Sequence, residues 1–309
     1  MKVALTGASG FIGSNIAQTL AKAGYDVIAL VRETSRRDHI EEHVADFVVG
    51  DAADREAMAK LCTRVDAVVH NAVDWSAARP AFGGSKSTTA YEHFRTNVTG
   101  SLDLLETARL SDVGQFLFIS SGAVNDEIVT SPTITETHPT WSGNLYGAYK
   151  ASIEPFLKAY RTQFGMNTSS WRPVAVYGVD PTLARSQWFN LIDKARRGKK
   201  VDAPGGGKIT HVQDIADAIT FAIGDDQTAG EIYNLAERYL HKCVPPQIAA
   251  ELSGSGGEVV DYSGSGGPKN QYDTSKAVDF FDRHGHEVGL RRGLGGVRQY
   301  VANLLSVMG

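Results

Sequence analysis

The chain of 309 residues has only two cysteines, Cys62 and Cys243. They stand far apart and match no metal-ligand spacing. No disulfide framework and no metal are expected, and both thiols are read as free in a reducing compartment. Long apolar runs are missing as well: no window stays apolar for the roughly 18 residues that a membrane span needs. Met1 leads directly into a strand-like run that ends in a glycine turn, so no signal peptide is expected and the reading is a cytoplasmic protein. There is no basic excess. Lys and Arg number 31 against 35 Asp and Glu, a formal net charge of −4. Nucleic acid and anionic membrane surfaces are therefore not expected partners.

What is present is an apolar fraction of 42 %, ample for a packed core in one large domain or two unequal ones. Short apolar runs alternate with helical patterns. Val3–Leu5 reads as a strand, and Ile12, Ile16 and Leu20 as one face of a helix that stops at Gly24. Val27–Val31, Phe47–Val49, Val65–Val69, Phe116–Ile119 and Ser169–Arg172 read as further strands. A short helix carries Met58, Leu61 and Cys62. Tyr91, Phe94, Val98, Leu102 and Leu105 form a helical stripe, as do Tyr149, Ile153, Phe156, Leu157 and Tyr160. Apolar strands separated by helices predict an α/β fold, a doubly wound parallel sheet of Rossmann type.

After residue 178 the pattern weakens at Pro181, Pro204 and Gly205–Gly207. Ile215, Ile219 and Ile223 restore a helix, and Ile232–Leu235 a last strand. Serine- and glycine-rich loops follow at Ser253–Gly257 and Ser263–Gly267. The expected division is a dinucleotide-binding domain over 1–178, with 209–238 returning to it, and a smaller, irregular substrate lobe over 179–208 and 239–309. Ligands sit at the carboxyl ends of the strands in such sheets.

Thr6-Gly7-Ala8-Ser9-Gly10-Phe11-Ile12-Gly13 joins the first strand to the first helix. Gly7 permits the tight turn, Gly10 lets a phosphate approach, and Gly13 lets the helix pack closely. The free N–H groups around Phe11 and Ile12 and the positive end of the helix suit a pyrophosphate. An acidic residue at the end of the second strand would select NAD. Val31 holds that position and Arg32 follows, with Arg36 and Arg37 nearby. A 2′-phosphate fits them, so NADP is expected over NAD, with NAD as the alternative if Glu33 takes the acidic role.

Tyr146 and Lys150 stand four residues apart on one predicted helix face. Ser120 and Ser121 end the fifth strand. A phenol with a pKa of about 10 becomes a useful base when a nearby ammonium stabilises the phenolate. It then exchanges a proton with a substrate oxygen while hydride moves at carbon, and a serine hydroxyl holds the same oxygen. Tyr149, adjacent to Lys150, is read as core and as pointing away from it.

At these residues the chain resembles the extended short-chain dehydrogenase/reductase superfamily, in its NAD(P)-dependent epimerase/dehydratase group. The segments carrying the resemblance are Thr6–Gly13, Gly50-Asp51, His70-Asn71-Ala72, Asn97–Gly100, Ser120–Val124, Tyr146–Lys150, Arg172-Pro173 and His211–Ala216. The resemblance implies that Ser121, Tyr146 and Lys150 are catalytic, with Lys150 also on the nicotinamide ribose. It implies that Asp51, with Ala52 beside it, lies at the adenine. Asn71, Ala72 and Val73 would line the cofactor, Asn97 would support the active-site helix, and Pro173 and Val176 would lie near the carboxamide. It also implies a homodimer paired through helices Tyr91–Arg109 and Tyr146–Phe164.

Some positions depart from the group. Gly122-Ala123 replace the Asp-Glu pair of its dehydratases. Ala175 stands where sugar-nucleotide enzymes carry asparagine, and Lys208 is the nearest basic residue to a usual phosphate-binding arginine. Arg185, Gln187 and Trp188 fall in the expected substrate lobe. The expected function is hydride transfer at a hydroxyl or carbonyl carbon of a small polar substrate. The alternatives are a sugar or nucleotide-sugar epimerase with retained cofactor, and a non-catalytic redox-sensing regulator.

Overall fold

The computed structural model describes residues 1–75, 90–128 and 133–309. Its strands, in chain order, are β1 Lys2–Thr6, β2 Asp26–Val31, β3 Asp46–Val49, β4 Ala67–His70, β5 Gln115–Ile119, β6 Thr133–Ile134, β7 Asn167–Pro173, β8 Ala175–Tyr177, β9 Gly206–His211, β10 Ile232–Leu235, β11 Arg238–His241 and β12 Gln271–Tyr272. The α-helices are α1 Phe11–Lys22, α2 Arg55–Leu61, α3 Ala90–His93, α4 Gly100–Leu110, α5 Leu145–Phe164, α6 Phe189–Arg196, α7 Val212–Ala222, α8 Val244–Ser253, α9 Ser275–Arg283 and α10 Gly293–Met308.

Seven strands form one parallel sheet in the order β10-β7-β5-β4-β1-β2-β3. The chain starts in the middle and winds outward both ways, so the order reverses between β1 and β4. At that switch point the connections leave on opposite faces and a crevice opens at the carboxyl edge. The register sets Thr6 beside His70, His70 beside Phe118 and Phe118 beside Ser170. The loops that follow these strands therefore share one edge. Each face of the sheet is sealed by its own apolar cluster. Ile16, Leu20, Ile215 and Ile219 lie on one side, and Leu61, Leu105, Ile153 and Leu157 on the other.

Local sequence explains the helix ends. Asp54 caps α2 by accepting from the backbone N–H of Glu56 and Ala57. Asn144 caps α5 by accepting from Gly147 N–H at 2.9 Å, and Gly165 ends it in the left-handed conformation at φ +70°. Between α3 and α4, Phe94–Thr99 is π-helical, so 90–110 runs as one helix with a widened turn. That turn breaks the regular stripe expected from the apolar spacing. Leu105 is fully buried, whereas Tyr91 is 73 % exposed.

A three-stranded sheet, β11-β9-β8, stands apart from the large one. It shares an apolar cluster with residues of α6, α8 and α10, including Tyr177, Ile192, Ile209, Ala249 and Leu304. This C-terminal region is more regular than the glycine- and serine-rich segments suggest. Its helices are short or glycine-flanked, so their periodicity is faint in sequence.

Candidate active site

The glycine turn lies at the switch point. Gly7 has φ +70°, and a Cβ there would stand 2.9 Å from Ala72 N at the end of β4. A Cβ on Gly13 would overlap Gly7 O at 2.1 Å, so α1 can leave the turn only over a glycine. Gly10 is the N-cap of α1. It has no side chain to cap the helix, and the first turn holds no acidic residue. The N-terminus around Phe11 and Ile12 is thus open to an anion, which fits a dinucleotide pyrophosphate.

β2 ends at Val31, paired with Val49, so Arg32 is the first residue past the sheet. Arg32 is exposed, and among the described residues its guanidinium has no hydrogen-bond or ion-pair partner. Arg36 is held by Asp38 at 2.9 Å and by Pro181 O at 3.1 Å. Arg37 reaches back to Arg32 O and lies over the Phe47 ring. Only Arg32 of the three is uncommitted. Asp51 is exposed, its Oδ1 accepting from Ala53 N–H, with Ala52 half-buried beside it.

At the end of β4, Asn71 Nδ2 donates to Gly7 O at 3.3 Å. Thr6 Oγ1 accepts from the backbone N–H of both Asn71 and Ala72, at 3.1 and 3.0 Å. Asn97, in the π-helical turn, clamps Asp74 from both sides. Its Oδ1 accepts from Asp74 N–H at 2.7 Å and its Nδ2 donates to Asp74 O at 3.0 Å. The same Nδ2 donates to His93 Nδ1, whose ring then donates through Nε2 to Leu145 O at 3.3 Å. Asn97 thereby ties the β4 loop to the first residue of α5. Val73 packs beside these groups on the inner apolar cluster.

Ser121, just past β5, caps a 3-10 turn at Gly122–Asn125 and accepts from Ala123 N–H at 3.1 Å. Among the described residues its hydroxyl hydrogen has no acceptor. Gly147 brings α5 against this turn: a Cβ there would lie 2.3 Å from Ala123 O. Tyr146 is 9 % exposed, and the Trp75 ring covers it at 4.6 Å between centroids. Lys150 is 1 % exposed and donates to Ile119 O at 2.6 Å. Its ammonium stands 6.0 Å from the Tyr146 ring centroid and 4.4 Å from that of Phe118. It also stands 4.8 Å from the Tyr149 ring, which corrects the expectation that Tyr149 points away. The long lysine stem curls back over its neighbour's ring. Burial pushes Lys150 down to about 7, against the pull of Glu154 one turn further on.

Glu154 was not singled out by sequence, although it stands four residues after Lys150. It accepts from Ser120 at 2.7 Å, from Ser170 at 3.0 Å, and from Arg172 at 2.9 and 2.6 Å. Pro173 ends β7 in the large sheet, whereas Val176 lies on β8 in the small one. Of the substrate-lobe residues, Arg185 is exposed. Gln187 O accepts from Tyr300, and Trp188 packs on the small core in the left-handed conformation at φ 61°.

An uncapped helix N-terminus at the switch point, beside a buried tyrosine and lysine, is the arrangement of a Rossmann-type dinucleotide enzyme. The chain belongs to the NAD dependent epimerase/dehydratase family, whose model matches residues 3–236. The superfamily resemblance read from the motifs therefore holds. A UDP-glucose 4-epimerase of Yersinia enterocolitica is 26 % identical over 270 residues, covering 76 % of this chain and 77 % of its own. A 4-hydroxy-2-methyl-3-oxo-4-farnesyl-3,4-dihydroquinoline-1-oxide ketoreductase of Stigmatella aurantiaca is 27 % identical over 244 residues, 77 % of this chain and 68 % of its own. The UDP-glucose 4-epimerase of Thermotoga maritima, solved with UDP-glucose, superposes with a TM-score of 0.78 at 22 % identity, covering all of both chains. Among the described residues no helix is long and apolar enough to cross a membrane.

Proposed function

We propose that the protein moves hydride at a hydroxyl or carbonyl carbon of a small polar substrate, with Tyr146 as the proton-exchanging group. The observation that carries this reading is Tyr146 and Lys150 on one face of α5, docked through Gly147 against the turn that Ser121 caps. Bound nicotinamide supplies the hydride donor or acceptor. Lys150, when charged, stabilises the Tyr146 phenolate at near-neutral pH. Tyr146 then takes the proton of a substrate hydroxyl, or returns it to a carbonyl oxygen, while the Ser121 hydroxyl donates to that same oxygen. Trp75 shields the phenol from water. Asp51, Ala52, Asn71, Ala72, Val73, Pro173 and Val176 are assigned to the cofactor along the carboxyl edge of the sheet.

NADP is the assigned cofactor, on the uncommitted guanidinium of Arg32 directly after β2. The assignment of NADP and the alanine at 175 favour net oxidation or reduction. The epimerase relative favours a second reading, in which a sugar nucleotide is oxidised and re-reduced on a retained cofactor. Absorbance of reduced nicotinamide separates them, because only the first consumes cofactor in step with substrate. The shared chemistry is tested by Tyr146→Phe. It lowers kcat by about 10²–10⁴-fold and leaves cofactor affinity unchanged. Retained turnover overturns the assignment.

A cofactor domain on the large sheet and a substrate lobe around the small one are part of the same reading. So is a homodimer through the 90–110 helix and α5. Tyr91, Phe94, Phe156 and Phe164 on these helices are 44–73 % exposed, more apolar surface than an isolated chain leaves uncovered without reason. The free, buried thiols of Cys62 and Cys243 support a reducing, cytoplasmic setting.

A further inference from the structure

We propose that His39 and Arg36 are positioning residues at the dinucleotide site. They fasten the loop after β2 as a strap across the glycine turn, and opening of that strap sets how fast the cofactor enters and leaves. This rests on the dinucleotide site at the switch point and not on the identity of the substrate.

The strap has two firm ends. It starts at Arg32, directly after Val31 in the sheet. Arg32 N–H donates to Ser35 Oγ at 3.1 Å, and Ser35 N–H donates back to Arg32 O at 2.9 Å. It ends at Ile40, which is fully buried in the apolar cluster that also holds Ile16 and Leu20 of α1. Three residues further on, His43 meets Gln18 of α1 at 3.3 Å. Between these ends two side chains reach across to other segments. His39 Nε2 lies 3.2 Å from Ser9 O, and because a carbonyl only accepts, the ring donates from Nε2. Arg36 donates to Pro181 O at 3.1 Å.

Both partners flank the helix end assigned to the diphosphate. Ser9 immediately precedes Gly10, the N-cap of α1. Pro181 lies three residues past Gly178, where a Cβ would stand 3.1 Å from the ring of Phe11, the first residue of α1. Pro181 also sits in a braced turn. Thr182 N–H donates to Asp180 Oδ1 at 2.6 Å, and Asp180 N–H donates to Ser186 Oγ at 3.0 Å. The loop is therefore tied to the glycine turn through His39 and to the segment after β8 through Arg36. A nucleotide with its diphosphate at Phe11 and its adenosine toward Arg32 and Asp51 enters and leaves past it.

The latch is a light one. Arg36 is exposed, and its ion pair with Asp38 lies within the strap and does not hold it down. His39 is half-buried, and its Nδ1 has no hydrogen-bond partner among the described residues. One hydrogen bond from each side chain closes the strap, and such bonds contribute little each. Both are made within the chain, so losing one favours the open strap equally with and without nucleotide. Entry and exit then speed up together while affinity stays constant. Loss of a residue that touched the nucleotide would change affinity instead.

Stopped-flow fluorescence tests this with NADPH and with NADH, each mixed with the full chain and then displaced by excess oxidised nucleotide. Arg36→Ala and His39→Ala are each expected to raise kon and koff together by about 3–10-fold, the worth of one hydrogen bond, with Kd unchanged. The factor is the same for both nucleotides. His39→Gln, whose amide still donates to Ser9 O, keeps the parent rates. Melting temperature is unchanged in all three variants. Parent-like rates in both alanine variants overturn the proposal, and so does a rise in Kd carried by koff alone. A parent protein that binds neither nucleotide overturns the dinucleotide reading itself, and the strap with it. Binding is read rather than turnover, so a failure of the Tyr146 assignment shows in kcat and leaves this measurement intact.

Discussion

His70 Nε2 lies 2.8 Å from Ser101 Oγ, and the direction of that hydrogen bond is fixed by its surroundings. Both lone pairs of Thr6 Oγ1 are used by Asn71 and Ala72, so Thr6 donates to His70 Nδ1 at 2.8 Å. His70 must then carry its hydrogen on Nε2 and donate to Ser101. Ser101 donates to Asn97 O at 2.5 Å and accepts from Tyr149 at 3.1 Å. Burial and the Lys150 charge push His70 down to about 3, so the ring is neutral throughout the working range. One directional chain links the glycine turn, the π-helical turn and α5.

His70→Leu strands the Thr6 donor and leaves Ser101 without one of its hydrogen bonds. The expected cost is about 1–3 kcal/mol for each group left unpaired, read by chemical denaturation. Because only the unfolded chain protonates His70 near its ordinary pKa of 6.5, the loss is smaller at pH 6 than at pH 8. A loss that grows on acidification contradicts the tautomer argument.

Lys150 gives a pH dependence of the same sign in a higher range. Its folded pKa, about 7, is below the ordinary 10.5. Between those values the unfolded chain binds the extra proton, so stability rises with pH. The penalty is complete below about pH 7 and absent above about 10.5. Lys150→Met is therefore more stable than the parent, by about 1–2 kcal/mol in the cofactor-free protein at pH 7, and loses the advantage at pH 10. Denaturant midpoints at the two pH values check this. Activity is lost in the same variant.

Arg172 and Glu154 are 1 % and 4 % exposed and joined at 2.6 Å. Arg172→Met leaves a buried carboxylate with only two serine hydroxyls. It is expected to cost about 3–5 kcal/mol, while the double variant with Glu154→Gln recovers part of that loss. A double-mutant cycle gives the coupling.

Arg32→Ser removes the guanidinium proposed for the 2′-phosphate. NADPH affinity falls by about 10–100-fold, the worth of one charge-assisted contact, and NADH affinity does not change. Equal losses for both cofactors count against NADP.

The sequence by itself determined the order of strands and helices, the glycine turn and the Ser121, Tyr146 and Lys150 positions. These are local signals: an apolar period, a turn that only glycine satisfies, and a four-residue helix spacing. Tertiary structure alone decided which basic residue after β2 stays free, because Pro181 and Asp38 engage Arg36 and Phe47 engages Arg37. It also revealed the Thr6–His70–Ser101–Tyr149 chain and the Glu154–Arg172 pair, whose partners lie far apart in the chain and meet only through sheet register.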